Sequence, residues 1–98
     1  MGPLQLDALE AMCSVWPAGV LDEHFKEPVA SDTPVLLLSG EDDPITPPAY
    51  ADLAAVDLGN ALHLTGKRQG HGLAPRGCMP GIIGDFVETA SVESLDTD

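Results

Sequence analysis

Two residues stand out for what they can do together: Asp43, in Glu41-Asp42-Asp43-Pro44-Ile45, and His71, in Gln69-Gly70-His71-Gly72. A carboxylate that accepts a hydrogen bond from one imidazole nitrogen fixes the tautomer of the ring. The other nitrogen is then free to take a proton from a nucleophile. The acid comes first and the histidine 28 residues later. Glycines on both sides of His71 let the backbone bend there and leave the ring accessible. Taken singly, each residue has an ordinary reading, because Asp-Pro is common turn chemistry and a histidine between glycines is often merely exposed. In this order, on two loops that each follow a strand, they point to an acid–base pair.

Other groupings offer less. Glu41-Asp42-Asp43 resembles a carboxylate cluster for a hard cation, but EF-hand spacing is missing and three adjacent turn residues cannot all point inward. His24, His63 and His71, with the two cysteines, lack zinc-ligand spacing. No metal and no cofactor is expected. His63 lies within a strand-like run and reads as a packed or surface imidazole. Trp16, followed by Pro17, suits a core or lid-packing role, or the wall of a substrate pocket. Thr46, just before Pro47, reads as a helix N-cap. Cys13 and Cys78 are far apart and not arranged as a metal pair. They can form one disulfide across a long loop, worth ~4 kcal/mol on the chain-entropy estimate, or remain as two buried free thiols.

The elements that must position Asp43 and His71 are legible in the apolar pattern. Thr33-Pro34-Val35-Leu36-Leu37-Leu38-Ser39-Gly40 is a continuous apolar run, the mark of a strand buried on both faces of a parallel sheet. From Thr46-Pro47 a helix is predicted through Tyr50, Leu53, Ala54 and Val56 to about Leu58, where Gly59-Asn60 ends it. Ala61-Leu62-His63-Leu64-Thr65 reads as a second strand. The loop from Gly66 to Gly77 holds four glycines. A last helix is predicted over Pro80 to about Thr89, burying Ile82, Ile83, Phe86 and Val87. Upstream, Leu4, Leu6, Leu9, Met12, Cys13 and Trp16 outline a short amphipathic helix over about 4–15, stopped by Pro17 and Gly19. The stretch from Ala18 to Asp32 is acidic and irregular, with room for one helical turn. Both strand ends place their loops where open α/β sheets hold their sites.

Residues 33–90 thus form strand–helix–strand–helix within one domain spanning 1–98. Residues 1–32 read as a lid-like helix and linker, and 91–98 as a frayed acidic tail. The fold class is α/β, with two parallel strands and flanking helices. Two strands are few for a stable sheet, and an open edge invites association. The pattern describes part of a larger sheet.

Composition narrows the partners. The chain has 98 residues, four Lys and Arg against sixteen Asp and Glu, and a net charge of −12. Only Lys26, Lys67, Arg68 and Arg76 are basic, so nucleic acid and anionic membrane surfaces are not expected partners. No stretch approaches the ~18 apolar residues of a membrane span. The first residues lack the basic region of a signal peptide.

With these residues in view, a family resemblance is plain. The run Pro34-Val35-Leu36-Leu37-Leu38-Ser39-Gly40-Glu41-Asp42-Asp43-Pro44-Ile45-Thr46-Pro47-Pro48 resembles the penultimate strand and acid loop of α/β-hydrolases. It is most similar to the TAP-like group, tripeptidyl-aminopeptidase-type relatives of proline iminopeptidases. Gly70-His71-Gly72, Arg76-Gly77-Cys78 and Cys13-Ser14-Val15-Trp16-Pro17 resemble the C-terminal part of the same group, so the likeness covers roughly residues 10–90. It implies a partial α/β-hydrolase sheet, Asp43 as triad acid and His71 as general base. The order in this fold is nucleophile, acid, histidine, so the serine belongs upstream. No Gly-x-Ser-x-Gly occurs here, and none of Ser14, Ser31, Ser39, Ser91 and Ser94 lies between glycines on a strand-to-helix elbow.

The resemblance therefore implies the C-terminal piece of a serine hydrolase, of aminopeptidase type. Without the nucleophile and oxyanion hole the piece is expected to be inactive alone. Its expected partner is a missing N-terminal hydrolase segment or a second chain supplying the serine. The alternative is a stand-alone, non-catalytic α/β protein that self-associates, as a homodimer, through its open sheet edge. The family likeness also leans towards an exported protein, where a Cys13–Cys78 bond would tether the segment before the acid strand to the histidine loop.

Overall fold

The computed structural model describes residues 2–98. Five elements follow in order: α1 (Leu4–Val15), β1 (Val35–Gly40), α2 (Pro48–Ala55), β2 (Ala61–Gly66) and α3 (Met79–Thr89). The architecture is α/β, consistent with a partial α/β-hydrolase sheet.

β1 and β2 pair in parallel, in register from Val35 opposite Ala61 to Gly40 opposite Gly66. Pro34 has no N–H to give a sheet, so pairing starts after it. There the Val35 amide donates to the Asn60 carbonyl at 3.0 Å. A single parallel bridge between Ser31 and Leu58 extends the seam backwards. Parallel strands need a crossover, and α2 supplies it, packing against both strands.

Helix α2 is shorter than its sequence pattern suggests. It starts at Pro48 with Pro47 as N-cap and no side-chain cap, and it ends at Ala55. The chain then closes with turns in which the Val56 amide donates to Leu53 and the Leu58 amide to Ala55. Thr46 is therefore not the N-cap that its position before Pro47 suggests, because its hydroxyl is committed to Asp43.

The alternation along the strands divides the leucines. Ser39 and His63 share one face, joined by a hydrogen bond, and α2 lies on that side. Leu36, Leu38, Leu62 and Leu64 occupy the other face by the two-residue period of a strand. Leu73 lies against Gly66 on this second face, and among the described residues Leu73 and Ile82 are the buried hydrophobic ones. The strands are not buried on both faces as their unbroken apolarity suggests, since residues 35–38 and 61–64 are only half-buried within this chain.

The helices follow the same trend. α1 occupies the predicted residues yet buries none of them, so its apolar stripe is left exposed. In α3, Ile82 is buried and Ile83 and Phe86 are half-buried. Val87 is exposed rather than buried. α3 ends on Ala90 in a left-handed conformation, its amide bonded to the Phe86 carbonyl at 2.8 Å. The stretch 18–32 contains the single turn expected of it, with Phe25 bonded to Asp22 and Glu27 to His24. Beyond Ala90 no helix or strand forms, although Val92 and Leu95 are half-buried.

Candidate active site

The paired glycines Gly40 and Gly66 end both strands at one level, so the loops carrying Asp43 and His71 leave the sheet side by side. Three hydrogen bonds stitch these loops together. The Glu41 amide donates to Gly66 at 3.0 Å and the Asp42 amide to Gln69 at 2.9 Å. The Arg68 amide donates to the Glu41 carboxylate at 2.8 Å. Gly40 lies so close to the Gln69 and Gly70 carbonyls that a Cβ there would collide with both. Gly72 has φ +88°, a left-handed backbone that suits glycine. It turns the chain immediately after the histidine.

Of the three consecutive acids, Glu41 and Asp42 are exposed and Asp43 alone is buried, at 6% exposure. Its carboxylate is fully engaged. Oδ1 accepts the amides of Ile45 at 2.8 Å and Thr46 at 3.1 Å. Oδ2 accepts the Thr46 hydroxyl at 2.9 Å and pairs with His71 Nδ1 at 2.9 Å. Burial pushes the Asp43 carboxyl up, but donation from the Thr46 amide, His71, the Ile45 amide and the Thr46 hydroxyl outweighs it. The group is held well below the usual carboxylate range. Asp43 is thus an anion at neutral pH, able only to accept.

That fixes the imidazole. Facing a carboxylate that cannot donate, Nδ1 of His71 carries the proton and Nε2 keeps its lone pair. The ring is 56% exposed, and among the described residues no group hydrogen-bonds Nε2. The arrangement is an oriented, accessible imidazole with a free lone pair. The two residues singled out in the sequence as an acid–base pair are brought into direct contact.

The other candidates lie elsewhere. Cys13 and Cys78 are both free thiols and both exposed, so they are neither bonded to each other nor buried in this structure. Trp16 is 79% exposed and lines an open groove of about 520 Å³ with Met12, Cys13 and Pro17. His24 sits on the surface between Glu23 and Glu27. Among the described residues no group of three His, Cys, Asp or Glu side chains is gathered for a metal ion.

Two features escape a reading of the sequence. The first is Thr46, whose hydroxyl also lies 3.2 Å from His71 Nδ1. Its position three residues after the acid is the only local signal. The second is a chain of contacts with triad-like connectivity: Asp52 Oδ1 to His63 Nδ1 at 2.9 Å, and His63 Nε2 to Ser39 Oγ at 2.8 Å. Ser39 is buried at 6% exposure and lies within a strand, not on an elbow. With no access for a substrate, this chain is a brace that ties α2 to β2 and β1.

With the geometry in place, comparison with known protein families gives a match that runs nearly the length of the molecule. The family model described as TAP-like protein matches residues 2–98. The searches of curated proteins and of solved structures gave no match. A parallel strand pair whose neighbouring ends carry an acid and a histidine, matched by that model over residues 2–98, has one reading: the chain belongs to the TAP-like family of α/β-hydrolases.

Proposed function

We propose that this chain supplies the acid and base of a serine hydrolase triad, in a peptidase of aminopeptidase type. The observation that carries the proposal is the 2.9 Å contact between the buried Asp43 carboxylate and His71 Nδ1, with Nε2 open to solvent. The serine and its oxyanion hole come from a segment or chain outside these 98 residues. His71 Nε2 removes the serine proton as its oxygen attacks a peptide carbonyl. Asp43 stabilises the imidazolium that forms. The same nitrogen then returns the proton to the leaving amine, and a second cycle with water releases the acyl group.

The uncovered surface supports a missing partner. The chain exposes 7811 Å², against about 5,300 Å² for a compact protein of its mass. The open strand faces and the bare stripe of α1 are where a nucleophile-bearing segment would pack.

The test joins the chain, covalently or in trans, to the nucleophile-bearing segment of a TAP-like hydrolase and measures peptide hydrolysis. Asp43→Asn and His71→Ala are each expected to lower the rate by about 10⁴-fold. Activity that survives both substitutions removes the assignment. Without the added segment, a fluorophosphonate serine probe is expected to leave the chain unlabelled. Labelling would mean that the nucleophile lies among its own five serines.

The same uncovered surface favours a second reading, a non-catalytic protein that associates with itself. Sedimentation at micromolar concentration separates the two: a strict monomer counts against self-association.

A further inference from the structure

We propose that Thr46 is a positioning residue of the Asp43–His71 pair, a hydroxyl that locks His71 in its base-competent tautomer. The inference rests on the reading of that pair as acid and base. Thr46 Oγ1 is 2.9 Å from Asp43 Oδ2 and 3.2 Å from His71 Nδ1, and Oδ2 is itself 2.9 Å from Nδ1. Three polar atoms therefore close a triangle, and their protons can be assigned.

Asp43 is an anion and donates nothing, so the single hydroxyl proton of Thr46 points at Oδ2. The lone pairs of Oγ1 then face Nδ1. The Nδ1 proton consequently meets two acceptors at once, the carboxylate oxygen and the threonine oxygen. In the opposite tautomer the single hydroxyl proton could go to Nδ1 or to Oδ2 but not to both, and the Nδ1 lone pair would still face the Oδ2 lone pairs with no proton between them. Nδ1–H is the state that satisfies all three atoms, and it is the state that frees Nε2 for proton transfer.

The hydroxyl acts on the acid as well. A bond from a donor to a charged acceptor is stronger than a neutral one, so Thr46 holds Oδ2 in the plane where His71 meets it. The backbone keeps Thr46 in place. Its amide and that of Ile45 both donate to Oδ1, and Pro47 follows with a fixed φ of −56°. The hydroxyl is spent on the site and not on capping α2, which begins with no side-chain cap.

The test is the tautomer ratio of the neutral His71 ring, read from its two ring-nitrogen NMR shifts in the full chain. The wild type is expected to be predominantly Nδ1–H. Thr46→Val keeps the shape and removes the hydroxyl, and is expected to raise the ratio of Nε2–H to Nδ1–H about fivefold, the size of one ordinary hydrogen bond. Thr46→Ser, which restores the hydroxyl, is expected to return the wild-type ratio.

Asp43→Asn separates the two levels of the argument. If Asp43→Asn shifts the ratio and Thr46→Val does not, the role of Thr46 is overturned and the acid–base pair stands. If neither shifts it, the pair itself is wrong. Should Thr46→Val lose its fold, Thr46→Ala and Thr46→Ser carry the same comparison. A wild-type ring with equal tautomers refutes the lock without any variant.

Discussion

At the scale of single residues, Asp43 links the site to the pH dependence of folding. Its carboxyl is held below the usual carboxylate range in the folded chain, and it returns to about 3.9 when the chain unfolds. A depressed folded value means the unfolded state binds the proton first. The stabilisation from Asp43 is therefore complete above the ordinary carboxylate range and is lost as pH falls through that range and below it. Urea midpoints of the wild type are expected to hold from pH 6 to about pH 5 and to fall from there to pH 3. In Asp43→Asn, which does not titrate, the fall is expected to be shallower, and an identical slope would contradict the assignment. Asp43 and His71 were legible in the sequence because each carries its own local signal, an Asp-Pro turn and a glycine-flanked histidine, at the end of a strand-like run. Thr46 was not, because a threonine before a proline serves equally well as a helix cap or as a partner for an acid three residues back. Only the folded loop decides between them.

At the scale of elements, β1, α2 and β2 are held by both the ladder and the Asp52–His63–Ser39 brace. Replacing His63 by leucine leaves the buried Ser39 hydroxyl without its partner, at an expected cost of about 1–3 kcal/mol in urea unfolding. Adding Ser39→Ala to His63→Leu is expected to recover part of that loss, because no polar group is then left stranded. Additive losses would argue against a shared brace. Gly40→Ala tests the seam beside the site. A methyl group there meets the carbonyls of Gln69 and Gly70, with an expected destabilisation of about 1–3 kcal/mol from overpacking. His71 is also expected to shift away from Asp43, seen as a change in its ring resonances. Both strands and both flanking helices were visible in the apolar pattern, within a few residues at their ends. The brace was not, since a histidine inside a strand run gives no hint of which helix residue comes over it. The expected burial of both strand faces is not met within the chain, because continuous apolarity reports what a strand is made to touch and the second face finds only Leu73 and its neighbours here.

At the scale of the whole molecule, the chain is extended, with a radius of gyration of 17.5 Å against about 13 Å for a compact domain of similar length. α1 buries none of its 12 residues, and an isolated helix of that length is marginal in water. Its amide protons are expected to exchange at rates close to those of a free peptide, while those of β1 and β2 are protected. Strong protection of α1 in the chain alone would mean that a second copy covers it, and protection gained only on adding the nucleophile-bearing segment would support the proposed partner. Both thiols are expected to react promptly with a disulfide reagent in the native state, given their exposure. The contact at Gly40 has a further meaning for recombination. At Gly40 the acid loop and the histidine loop touch backbone to backbone, with no side chain at that point to absorb a mismatch. A crossover between the codons for residues 40 and 70 would join halves never fitted to each other. Chimeras between relatives that are spliced within α2 should therefore lose the Asp43–His71 contact, whereas those spliced before β1 should inherit it intact.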